Sequence, residues 1–199
     1  MFSTHQRLVA GLALLVGVSL AAQGRAVSRR DADLMKRKIT AIESRTGTAT
    51  RRVRTTITEQ EVNAYLTYDL APLLPSGVVE PSVAILGPGR VSGTAVVDLD
   101  RVRRERNPTS LVDPFYYLAG KVPVGVAGVL RTNAGAAQFE LQSADVGGVP
   151  VPKVVLQQIL TYYSRSAAWP DGISLDAPFP LPSRIQEIQV DRGQAVVVQ

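Results

Sequence analysis

Carboxylates are the side chains through which this chain could do chemistry, because its 199 residues include no cysteine and a single histidine, His5. That composition excludes thiolate nucleophiles, thiolate zinc sites, His-dependent triads and imidazole metal sites. Disulfide scaffolds and a lipidated N-terminal cysteine are excluded with them. The carboxylate candidates are Asp98, Asp100, Asp113, Asp145, Asp171 and Asp176. Two carboxylates flanking a glycosidic bond can hydrolyse it. Asp98 and Asp100 lie two apart on a predicted strand and so share its outward face, where a solvated edge is the simpler explanation. The same pair could hold a hard cation, yet no EF-hand-like spacing surrounds it. Gly87-Pro88-Gly89 and Gly147-Gly148 lack the glycine spacing and the following Lys and Ser/Thr of a phosphate loop, and read as turns. The expectation is a non-enzymatic protein without cofactor or metal.

Binding is a better use of the remaining residue types. Tyrosines fall in close pairs: Tyr65 and Tyr68, Tyr116 and Tyr117, Tyr162 and Tyr163. Tyr offers an apolar body and a polar tip, which suits the rim of a cleft for an amphiphile. The alternative is that one member of each pair packs inside and the other faces water. Gly93, Gly125, Ala127 and Gly128 leave room on a sheet for a helix or an acyl chain. The residues expected to line a groove are Tyr65, Leu66, Phe115, Tyr116, Phe139, Leu156 and Tyr163.

The elements that must position them are signposted. Thr58 and Glu61 form a capping box, with Ile57 and Val62 as a hydrophobic staple, and Val62, Tyr65, Leu66 and Leu70 follow on one helical face. Pro72 and Pro75 end that helix. Val83 to Leu86 and Val91 to Asp100 flank Gly87-Pro88-Gly89 as a hairpin. Residues 101–108 read as a charged loop, followed by a short helix capped by Ser110. Lys121 to Arg131 and Ala137 to Val146 form a second hairpin around Asn133-Ala134-Gly135, with Phe139 and Leu141 facing one way and Gln138, Glu140 and Gln142 the other. After Pro150 and Pro152, a helix from Lys153 to Ser164 carries a broad apolar stripe and is expected to be largely buried. The run from Trp169 to Pro182 reads as an extended connection. Arg184 to Val190 and Gln194 to the end close the chain as a third hairpin, and Val196-Val197-Val198 is a candidate edge for strand addition.

The N-terminus reads as a targeting segment. Arg7 precedes fifteen uncharged, almost wholly apolar residues, Leu8 to Ala22, and small residues follow at Ala21, Ala22 and Gly24. Fifteen is short of the roughly 20 residues that cross a bilayer. Residues 1–24 are therefore expected to be a signal peptide, with a retained N-terminal membrane anchor as the alternative. Charge is uneven: residues 25–54 hold ten basic and three acidic side chains, and residues 55–199 hold eleven and fourteen. The overall +5 comes from one basic, partly helical leader. Its Arg29, Arg30, Lys36, Arg37 and Lys38 could meet a membrane surface, though a solvated face explains them as well. No aromatic residue is interleaved to stack on bases, which argues against nucleic acid.

The order of elements, with Ile57-Thr58-Glu59-Gln60-Glu61-Val62-Asn63-Ala64-Tyr65-Leu66 opening one helix and Val146-Gly147-Gly148-Val149-Pro150-Val151-Pro152 leading into another, resembles exported bacterial envelope proteins related to the tubular lipid-binding superfamily. The resemblance covers about residues 55 to 199. It implies a curved sheet wrapped on a helix, with lipid held in an apolar groove. The expected fold is α+β, a curved, mainly antiparallel sheet with two principal helices packed on one face, as a single domain over residues 55–199. The expected function is non-enzymatic binding of a lipid or other amphiphile in the cell envelope, periplasmic or secreted. The alternative is an assembly protein that docks a partner through a sheet edge or the basic segment.

Overall fold

The computed structural model describes residues 26–45, 52–106, 119–164, 171, 174–175 and 177–199. The signal segment, the short helix expected after Ser110 and the side chains of Phe115 and Tyr116 lie outside the described residues. The chain runs α1 (Arg29–Glu43), β1 (Arg54–Thr58), α2 (Glu59–Tyr65), β2 (Val78–Gly87), β3 (Arg90–Asp98), α3 (Leu99–Arg106), β4 (Lys121–Asn133) and β5 (Ala136–Val146). It continues through β6 (Val149–Pro150), α4 (Lys153–Ser164), β7 (Phe179–Pro180), β8 (Glu187–Asp191) and β9 (Gln194–Val198). The fold is α+β; among the described residues the strands pair antiparallel throughout and divide into two open sheets.

The capping box forms as expected. Glu61 N–H donates to Thr58 Oγ1 at 3.2 Å, and Thr58 N–H donates to Glu61 Oε2 at 2.8 Å. Past Tyr65 the helix widens into a π turn, Leu66–Leu70, and closes as a 3₁₀ turn, Ala71–Leu73, that holds Pro72. Ser28 caps α1 by accepting from Asp31 N–H at 3.2 Å.

The small sheet has the order β1-β9-β8. Arg54 to Thr58 pair with Val198 to Gln194, and Glu187 to Asp191 pair with the same strand from its other side. Val196 to Val198 are therefore central, not an edge, and strand addition there is ruled out. The partner that covers them, β1, lies in a Thr-rich stretch next to the basic run. Against this sheet pack α1 and α2, and their common core is Ile42, Ile57, Ile185 and Val197, with Met35, Val62, Leu181 and Ile188 around it. Gln199 ties the end down, since its Nε2 donates to Ile42 O at 2.9 Å and to Ser183 O at 2.7 Å.

The long sheet has the order β2-β3-β4-β5-β6, with β7 also on β5. Its hairpins turn where the sequence places them. Gly87 pairs with Arg90 around Pro88-Gly89, a turn that needs Gly89 at φ 68°. Asn133 pairs with Ala136 around Ala134 and Gly135, whose φ values of 47° and 81° give a turn of the hand that hairpins favour. These turns join the long sheet to the small one: Gly89 N–H donates to Val190 O at 3.1 Å, and Gly135 N–H to Gln186 O at 2.9 Å. Thr132 Oγ1 donates to Ile188 O and accepts from Ile188 N–H, at 3.1 and 2.9 Å.

The far end of the long sheet, roughly 30 Å away along its strands, carries α3, β6 and α4. The expected loop at 101–108 is helical up to Arg106. The strand stops at Asp98 because its carboxylate accepts from Arg101 N–H at 2.9 Å, the bond of a helix N-cap. Among the described residues no helix is long and apolar enough to cross a membrane.

Candidate functional site

Register assigns the side chains of the long sheet to its two faces. Val83 pairs with Gly93, Gly93 with Val126, and Val126 with Ala144. Directly paired residues point the same way, and neighbours along a strand point oppositely. One face therefore holds Val83 and Ile85, then Val91, Gly93, Ala95 and Val97, then Val122, Val124, Val126, Gly128 and Leu130. On β5 it continues with Ala137, Phe139, Leu141, Ala144 and Val146. A bulge between Ala127 and Gly128 keeps Leu141 on this face by inserting Gln142 as an extra residue. This face is apolar except for Thr132, paired with Ala137 at the end where the small sheet joins. The other face carries Ser82, Ser92, Thr94, Gln138, Ser143 and Asp145, and an Arg131–Glu140 ion pair at 3.1 Å.

The apolar face is not sealed. Of its residues, Ile85, Gly128, Ala137 and Ala144 are buried, most of the rest are half-buried, and Val126 and Val146 are 40% and 44% exposed. Val149, paired with Val146 and so on the same side, is 66% exposed. On α4, Val154 and Val155 are 65% and 39% exposed. The expectation that this helix is largely buried is thereby overturned for its described side chains. A broad stripe states what a helix has to cover, and here α4 is held by its N-terminal lead-in, where Val151 N–H donates to Ala144 O at 2.9 Å.

The small residues split between the two faces. Gly93 and Gly128 are on the apolar side, with Ala95, Ala137 and Ala144, while Gly125 and Ala127 are on the other. A Cβ on Gly125 would lie 2.5 Å from Asp145 Oδ2, and one on Gly128 would lie 2.5 Å from the Phe139 ring. The room at Gly128 is thus taken by Phe139. Ala95, Ala137 and Ala144 are further small residues of the apolar face, which the period-two alternation of their strands places there.

Of the expected lining residues, Phe139 is on the apolar face and half-buried. Leu156 is half-buried on α4, and Tyr65 and Leu66 are half-buried at the end of α2, beside β2. The side chain of Tyr163 lies outside the described residues. Tyr68, in contrast, is structural: its hydroxyl donates to Val27 O at 3.3 Å, and Arg29 lies 4.9 Å over its ring.

The helix-opening motif does specific work in holding the edge of the long sheet. Asn63 Nδ2 donates to Val83 O at 2.8 Å while Asn63 Oδ1 accepts from Val83 N–H at 2.7 Å. Glu59 Oε2 accepts from Ile85 N–H at 2.6 Å. One turn of α2 therefore occupies edge groups of β2 that would otherwise invite another strand. Glu61, the buried acid of the same turn, accepts from Lys38 Nζ at 2.6 and 2.7 Å.

That ion pair also changes the reading of the basic leader. Lys38, which donates to Thr56 O as well, faces the core, and Arg29 is committed to Tyr68. Lys36 lies 3.8 Å from Asp69, and Arg30 and Arg37 are exposed. Lys38 thus leaves the set, while Arg29, Arg30, Lys36 and Arg37 stay exposed. A shallow, open depression lined by Asp33, Lys36, Arg37, Thr40, Ala41 and Ser44 lies on the outer face of α1, away from the sheet.

The aspartate pair does not form either. Asp98 caps α3, and Asp100, inside that helix, accepts from Arg103 at 3.0 Å and from Gly120 N–H at 2.9 Å. The expected common strand face ends at Asp98. Among the described residues no three His, Cys, Asp or Glu side chains are grouped to hold a metal.

No protein-family model matches the chain, and no curated protein matches it. Among solved structures, a crystal structure of lipopolysaccharide binding protein is similar to it, at 18% sequence identity and a TM-score of 0.23. The likeness covers 74% of this chain and 40% of that one, so the chain spans about two-fifths of that neighbour's length. A likeness of this size carries no argument about fold or function.

Proposed function

We propose that this is an exported, non-enzymatic protein of the cell envelope that binds a lipid or another amphiphile on the apolar face of its long sheet. The carrying observation is that face itself: four neighbouring strands present apolar side chains from the far end up to Leu130 and Phe139, and the patch runs out through Val126, Val146 and Val149 in a half-covered state. Soluble proteins seldom leave a contiguous apolar surface open unless something binds it. Tyr65, Leu66, Phe139 and Leu156 are the described lining candidates, and Phe115, Tyr116 and Tyr163 complete the proposed set. The resemblance of the two helix lead-ins to envelope proteins of the tubular lipid-binding kind supports the same reading. The N-terminal apolar run supports export.

Native mass spectrometry and solvent extraction of the purified protein test the proposal. A co-purified amphiphile, or saturable binding of a fluorescent lipid, is the expected result. If neither is found, the reading fails.

A further inference from the structure

The apolar face of the long sheet is closed at one end and open at the other. Where it joins the small sheet, Ile85 and Ala137 are 6% and 2% exposed and Gly128 is buried. Exposure rises toward the far end, through Val126 and Val146 to Val149. The closed end is fixed by backbone bonds: the Thr132 hydroxyl donates to Ile188 O and accepts from Ile188 N–H, and Gly89 N–H donates to Val190 O. Phe139 stands in front of that closure. Its register partner is Leu130, yet the ring tip lies 2.5 Å from where a Cβ of Gly128 would be. The ring therefore leans along the face toward the open end and lies across β4.

Between Phe139 and the open end the face offers a ligand no hydrogen-bonding side chain. The β2 edge beside it is held by Asn63 and Glu59, which leaves Val83 N–H and C=O and Ile85 N–H taken. A ligand that covers such a tract is apolar along its length and carries its polar group at the end that reaches water. From Gly128 to Val122 the tract runs about 20 Å along β4. A lipid acyl chain, which spans half of a hydrocarbon core about 30 Å thick, is of the same order. Charges of both signs stand at the open end, Lys121 opposite Asp98 and Asp145 next to Val146, and favour no head-group charge. We propose that the amphiphile lies with one acyl chain along β4, its methyl end against the Phe139 ring and its head group in water beyond Val122, so that Phe139 sets the chain length the protein accepts. The proposal rests on the lipid-binding reading and deepens it, by placing selectivity in the tail of the ligand instead of its head.

The test is equilibrium dialysis of the purified protein against lysophosphatidylcholines with decanoyl, lauroyl, myristoyl, palmitoyl and stearoyl chains, each below its micellar concentration. Affinity should rise about fifteen-fold for each added pair of methylenes up to a cut-off, and not beyond it. Phe139→Ala moves the cut-off to a longer chain, and Phe139→Leu takes its place if the circular dichroism of the first is not native. Gly93→Leu moves the cut-off to a shorter chain: a Cβ there meets Val126 Cγ1 at 3.6 Å, so a side chain has room to stand in the tract ahead of Phe139. Lysophosphatidylglycerols give the same cut-off. A cut-off that follows the head group, that is absent from the series, or that stays in place in both kinds of variant overturns the proposal and leaves lipid binding standing. If no lysophospholipid of any length binds, the functional reading falls and the proposal with it. A dimer that persists with lysophospholipid present would put a second copy on this face and overturn the proposal.

Discussion

The two sheets solve the same problem in opposite ways. The three-stranded sheet closes its apolar side: α1 and α2 lie against it, Ile42, Ile57, Ile185 and Val197 meet inside, and the Lys38–Glu61 pair sits at the margin with its donors and acceptors matched. The long sheet has more apolar surface and less cover. Its face is rich in valine, glycine and alanine, and Phe139 packs closely over Gly128. Burial of apolar area holds a fold together, at about 25 cal/mol per Å². Stability is therefore concentrated in the small sheet, while the long sheet, tied to it through the turns at Gly89 and Gly135, leaves apolar surface uncovered.

This contrast can be broken most severely by deleting residues 194–199. The loss of β9 removes the central strand of the small sheet, and the protein should fail to give a cooperative thermal transition by circular dichroism. Glu61→Ala comes next. It leaves Lys38 half-buried without its carboxylate and Thr58 N–H without its acceptor, and denaturant unfolding should show a loss of about 3–4 kcal/mol. On the long sheet, Gly128→Ala should cost about 1–3 kcal/mol, because Phe139 and the Glu140 carbonyl stand where the new methyl would be. The smallest effect is expected at the open end. Val149→Ser and Val154→Ser should each change stability by under about 0.5 kcal/mol, and a larger loss would mean that this surface is packed like the small sheet.

Much of this architecture is legible in the sequence, for reasons that are local. The Thr58 capping box, the turns at Pro88-Gly89 and Ala134-Gly135 and the span of α4 all depend on neighbouring residues, and each lies where the spacing predicts. What is not legible depends on partners distant in the chain. Val196 to Val198 read as an edge because nothing near them announces that Arg54 to Thr58 will pair with them. The stripe of α4 reads as buried because periodicity reports a need for cover without reporting what supplies it. Helix α3 reads as a loop because Leu99 to Arg106 has Val102 as its main inward anchor, and the strand-ending role of Asp98 is a capping bond. The Glu59 and Asn63 contacts with β2 escape sequence reading for the same reason: the spacing gives a helix face, not the strand edge it meets.

The most direct test of the central claim uses the absence of native cysteine, which lets one environment-sensitive fluorophore be attached at one position. Val126→Cys places it on the apolar face of the long sheet, and Thr94→Cys places it on the polar face of the same sheet. On titration with lysophospholipid, the account predicts a saturable blue shift at position 126 and none at position 94. Equal shifts at both positions, or no shift at 126 while lipid is bound, would contradict it.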